Sequence, residues 1–162
     1  MSIVVRNVLF ALLLALTTPT SQAAESGSQC LAMRGVRSAD PEMAEKAIAA
    51  LVARARHKIA LVIGNDYEPA AASAADAILP KLVNGKRDAA SVAALFARLQ
   101  MDVVCLLDPT ASELEHAADL ISAHTPGDGL VAFYFAGHGF SLGGENYLAL
   151  DDASRASREA LL

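Results

Sequence analysis

The chain has 162 residues, a formal charge of −5 and a hydrophobic share of 54%. That length fits one globular domain. Mild acidity and the lack of a Lys/Arg stripe exclude nucleic acid as the main partner, because nothing is arranged to neutralise phosphates. With no heptad pattern, internal repeat or low-complexity tract, coiled coils, solenoids and fibres are excluded too.

The first 23 residues, "MSIVVRNVLFALLLALTTPTSQA", have the layout of a secretory signal peptide. Arg6 supplies the positive end, Val8 to Leu16 the apolar stretch, and Ser21-Gln22-Ala23 the small residues before cleavage. The apolar stretch is too short to span a bilayer. The expected location is therefore exported, periplasmic or secreted. Two cysteines follow. Cys30 falls in a polar Ser/Gly/Gln stretch, residues 24–37, that reads as a linker. An oxidising compartment would permit a bridge between the two, but Cys105 lies inside the apolar run "DVVCLLD" and reads as a buried free thiol acting as a small hydrophobe. Without local partners neither has metal-ligand spacing.

Asp40-Pro41 opens a helix, with aspartate as N-cap and proline at the first helical position. Met43, Ala47, Ile48, Leu51, Val52 and Ala55 give it an apolar face. "KIALVIGND" (58–66) is a short continuous apolar run, the pattern of a strand buried on both faces of a parallel sheet. Residues 65–84 form a long loop, a length that usually carries function in a compact domain. "GKRDAASVAALFARLQ" is a helix with a Val92, Leu95, Phe96, Leu99 stripe. "MDVVCLLD" is a second strand. A second crossover helix follows, with Thr110 and Glu113 in capping-box spacing. After the turn "PGDG", Leu130 to Ala136 is a third strand, and "FSLGGE" turns into "NYLAL".

The β-α-β-α-β order predicts an α/β fold, an open, doubly wound, mostly parallel sheet. In a 2-1-3 strand order, Gly64-Asn65-Asp66 and Gly137-His138-Gly139 are neighbours at the carboxyl ends, where such sheets bind ligands. His138 is thus the histidine placed for chemistry: imidazole can act as a base near neutral pH, and the following glycine leaves a backbone N–H open to a substrate oxygen. His57, His116 and His124 read as solvated or structural. No G-x-G-x-x-G or P-loop occurs.

"KIALVIGN", "LVNGKRDAASVAALFARL", "MDVVCLLD", "GDGLVAFYFAGHG" and "GENYLAL", in that order, closely resemble the caspase-like cysteine peptidases, specifically the bacterial metacaspase type of peptidase C14, over residues 58–152. The resemblance implies peptide-bond hydrolysis, with His138 as general base and the Gly139 N–H in the oxyanion hole. It matches Asp88 to the acidic residue that lines the S1 pocket of members cleaving after Arg or Lys. Arg87 replaces the asparagine of that "NDA" motif, and Lys86 and Arg87 would weaken an acidic pocket's field. Some metacaspases need calcium; the sequence itself implies no cofactor. The family's nucleophilic cysteine follows the histidine by roughly 50 residues, whereas Leu162 is 24 residues past His138. Cys30 and Cys105 precede His138, the wrong order for this family. The expectation is therefore a signal peptide (1–23), a linker and amphipathic helix (24–57) and an incomplete caspase-like domain (58–162), inactive alone. The alternative is a non-catalytic pseudo-peptidase module that binds or regulates. The expected partners are a peptide or protein substrate and, through the unpaired side of the third strand, a second copy of the chain.

Overall fold

The computed structural model describes residues 30–68 and 79–152. The signal segment, part of the long loop and the last residues lie outside these. Four parallel strands form the main sheet: β1 (Leu31–Ala32), β2 (Lys58–Gly64), β3 (Asp102–Leu107) and β4 (Leu130–Ala136), in the order β1-β3-β2-β4. The order expected for the three long strands is the one observed. Helices α1 (Met33–Ala39), α2 (Pro41–Val52), α3 (Gly85–Arg98) and α4 (Ala111–His124) flank the sheet. A hairpin of β5 (Gly139–Leu142) and β6 (Glu145–Leu148) forms a separate two-stranded sheet.

Strand alternation divides the core into two layers. Ile59, Leu61 and Ile63 face one side with Val104 and Leu106, covered by Met33, Ala44, Ile48 and Val52 of α1 and α2 and by Ala117 and Ile121 of α4. Ala60, Val62 and Cys105 face the other side, covered by Ala89 and Ala93 of α3. The helix starts follow their sequence signals. Asp40 accepts from the Glu42 N–H at 3.0 Å. The Thr110 N–H donates to Glu113 Oε2 at 2.8 Å, and the Glu113 N–H donates to Thr110 Oγ1 at 3.4 Å, which closes the capping box.

Two expectations are corrected. Residues 31–39 are not linker: β1 pairs with β3, and Met33 is fully buried in the core. The inner face of α3 is not its Val92/Leu95/Phe96/Leu99 stripe, since Leu95 and Leu99 are more than half exposed. Its buried residues are the small Gly85, Ala89 and Ala93, which let the helix approach β2 closely. A Cβ on Gly64 would meet Ala89 Cβ at 2.6 Å and the Gly85 carbonyl oxygen at 2.8 Å. Periodicity sees hydrophobic size, and here closeness of backbones won over it. Gly64→Ala is expected to cost about 1–3 kcal/mol in urea unfolding, because backbone must move to admit the methyl. Among the described residues β4, at the sheet edge, lacks the two-sided cover that its apolar sequence demands. Among the described residues it pairs only with β2. Leu130, Val131 and Phe133 are about half exposed, and the last two line an apolar groove with Leu61, Ala118 and Ile121. That groove lies against α4 and does not include His138. Among the described residues no helix is long and apolar enough to cross a membrane.

Candidate active site at the carboxyl ends of the strands

The chain leaves β2 and β4 side by side, with the Asn65 N–H donating to the Ala136 carbonyl at 2.9 Å. The segments 64–66 and 137–139 therefore share one crevice, as the strand order requires. His138 lies two residues past the end of β4 and is half-buried. Its Nε2 is 2.8 Å from the Pro80 carbonyl oxygen. A carbonyl only accepts, so Nε2 carries a proton in this contact, and in the neutral imidazole the lone pair then lies on Nδ1. The contact thereby fixes the orientation of the imidazole. Nothing in the spacing of the sequence marks Pro80 for this role; it comes back to the crevice only through the path of the long loop.

Gly139 opens β5 opposite Leu148 and is exposed. The Ala149 N–H donates to the His138 carbonyl at 2.9 Å. In an antiparallel pair, bonded and non-bonded positions alternate. With His138 and Ala149 at a bonded position, Gly139 is at a non-bonded one, and its N–H points out of the hairpin. The two-residue turn that closes the hairpin, Gly143-Gly144, has φ of +62° and +89°, which side chains other than glycine's rarely adopt. The structure thus brings together an imidazole with one free nitrogen and an outward backbone N–H.

Asp88 sits in the first turn of α3 and is exposed; among the described residues its carboxylate makes no hydrogen bond or ion pair. Its neighbour Lys86 turns inward instead. Lys86 Nζ is 3.0 Å from Asp108 Oδ2 and 3.6 Å from Asp66 Oδ2. The charge expected to weaken an acidic pocket is therefore neutralised inside the fold, and Arg87 is the exposed basic neighbour. Burial pushes the Lys86 pKa down, but the hydrogen bond and attraction of Asp108, then Asp66, outweigh it and raise the pKa above 10.5. Burial also raises the Tyr67 hydroxyl above 10.0. Each folded-state pKa lies above its unfolded value, so each group contributes stability below pH 10 that is lost as pH rises through the folded-state pKa. Stability should be flat toward neutral pH from these groups and fall above about pH 10, in urea unfolding at stepped pH.

A larger ionic cluster, which the sequence pattern did not reveal, joins α1 to this end of the sheet. Arg34 Nε donates to Asp151 Oδ1 at 2.8 Å, and Arg37 Nη2 donates to Asp151 Oδ2 at 2.9 Å and to the Asp108 carbonyl at 3.1 Å. Arg37 Nη1 also pairs with Glu113. Asp151, Asp108 and Glu113 are buried, and carboxylates there require such partners. Asp66, Asp108 and Asp151 are engaged by Lys86, Arg34 and Arg37, and among the described residues no group of three metal-ligating side chains is assembled.

Cys105 is not a free thiol. It is bonded to Cys30, with Cα atoms 4.6 Å apart. The cause is the unforeseen β1: pairing Leu31 with Leu106 sets Cys30 beside Cys105 in register. Both cysteines of the sequence are thus used, and no free cysteine remains among the described residues.

No curated protein and no solved structure matches this chain significantly. The family model of the caspase domain, peptidase C14, matches residues 57–159. That span holds β2, β3, β4, the two crossover helices and the hairpin, with His138 and Gly139 at the carboxyl ends of its strands. On that match and this fold, the chain belongs to the caspase-domain family of cysteine peptidases.

Proposed function

We propose that these residues form the base-bearing part of a cysteine endopeptidase of metacaspase type, exported from the cytoplasm. His138 Nδ1 accepts the proton of an attacking thiol, and the Gly139 N–H stabilises the tetrahedral oxyanion. The observation that carries this reading is the contact of His138 Nε2 with the Pro80 carbonyl, because it fixes the ring and, in the neutral imidazole, puts the lone pair on Nδ1. The thiolate comes from outside these 162 residues, since Cys30 and Cys105 are consumed in a disulfide. That bond, with the signal-like first 23 residues, supports an oxidising compartment.

Cleavage after Arg or Lys is the specificity we assign, through Asp88. Internal neutralisation of Lys86 supports it, by removing one competing cation. A carboxylate would pair with a guanidinium bidentately.

The 162-residue chain should show no turnover of Arg- or Lys-containing peptide reporters. Turnover that vanishes on Cys105→Ala would place the nucleophile within the chain and overturn the assignment. In a form that carries a free thiol and cleaves peptides, Asp88→Ala should lower turnover of Arg and Lys reporters relative to uncharged ones. An unchanged ratio would reduce Asp88 to a favourable charge at the start of α3. A second reading, a module that binds peptides without cleaving them, is favoured by the lack of a free thiol. Saturable peptide binding by the chain, with His138 contributing nothing to turnover in any longer form, would select it.

A further inference from the structure

Tyr67 is an unusual residue for a loop. Only 1% of it is exposed, and its φ of +55° lies in the left-handed region that an aromatic residue rarely enters. A buried hydroxyl must be paired, and this one is paired twice. It donates to the Ala149 carbonyl at 2.6 Å and accepts the His138 backbone N–H at 2.8 Å. Its ring lies against the imidazole, with centroids 4.8 Å apart and planes at 39°.

These contacts repair a gap in the hairpin. A bonded antiparallel pair normally exchanges two hydrogen bonds. Between His138 and Ala149 only one is direct, Ala149 N–H to His138 carbonyl at 2.9 Å. The return bond, from His138 N–H to Ala149 carbonyl, runs through the Tyr67 hydroxyl. Gly137 makes room for it, since a Cβ there would lie 2.4 Å from that hydroxyl oxygen. The first glycine of the Gly137-His138-Gly139 triplet therefore serves Tyr67.

We propose that Tyr67 is a positioning residue: its hydroxyl, wedged between His138 N–H and Ala149 carbonyl, sets the backbone and ring orientation of His138 and keeps the Gly139 N–H turned outward. This rests on the peptidase reading for its purpose, but not for its geometry. Burial raises the hydroxyl's pKa, so it stays protonated and able to donate at neutral pH. Phenylalanine would keep the ring packing and lose only the bridge, which separates positioning from simple filling of space.

The test is Tyr67→Phe in the full chain, read by NMR. The His138 amide should exchange with solvent about tenfold faster, the size expected for one lost hydrogen bond. The imidazole should pass from a single Nε2–H tautomer to a mixture, while amides of β2 and β3 keep their protection. Unchanged His138 exchange and an unchanged tautomer would overturn the proposal. If Tyr67→Phe does not fold, the wild-type protein decides. A slowly exchanging Tyr67 hydroxyl proton with a cross-peak to the His138 amide supports the bridge, and its absence overturns it. Neither readout needs turnover. Failure of the peptidase reading would appear instead as full activity of His138→Ala in a cleaving form, and would leave these spectra as they are.

Discussion

In a form of the protein that carries a free thiol and cleaves peptides, His138→Ala lowers turnover by about 10²–10⁴-fold, the range for losing a positioned general base. Folding should be nearly untouched. The imidazole is half-buried, and among the described residues its ring makes one hydrogen bond, to the Pro80 carbonyl, worth about 1 kcal/mol. A small change in urea midpoint with a large loss of turnover is the expected pair of results, measured by denaturation and by a peptide reporter. Full activity in His138→Ala would remove the base assignment and, with it, the reason for the Pro80 contact.

Cys30→Ser should lower stability by about 4 kcal/mol by the chain-entropy argument, because the bond joins residues 75 apart in sequence. The substitution leaves Cys105 as a buried free cysteine, a residue that a core tolerates. The effect reaches beyond entropy. β1 has only two residues paired to β3, so the bond is a main tie holding the N-terminal segment at the sheet edge. With it gone, α1 is held by the burial of Met33 and by the ion pairs of Arg34 and Arg37, and Asp151 and Glu113 depend on those arginines. Losing one partner of a buried pair costs about 3–5 kcal/mol, so fraying of residues 30–39 would expose the ends of the crevice. Hydrogen exchange should show that segment opening first. An unchanged urea midpoint in Cys30→Ser, or on reduction, would show that the bond contributes no stability.

What the sequence determined by itself was the frame. Continuous apolar runs at 58–64, 102–107 and 130–136, alternating with helical periods, specify buried parallel strands and right-handed crossovers, and these place His138 and Gly139 beside Gly64. Caps were equally legible at Asp40 and Thr110, since N-capping is a local interaction spanning three residues. What only the tertiary structure decided were contacts between residues far apart in the chain. Cys30 and Cys105 meet because a two-residue strand sets their register, too short to leave a pattern. Arg34 and Arg37 reach Asp151 from more than 110 positions away. Pro80 and Tyr67 reach His138 from 58 and 71 positions away. The α3 face was misjudged for the same reason: periodicity weighs hydrophobic size, whereas the close approach of two backbones at Gly64 and Gly85 selects for small side chains and can be seen only once the helix lies on the sheet.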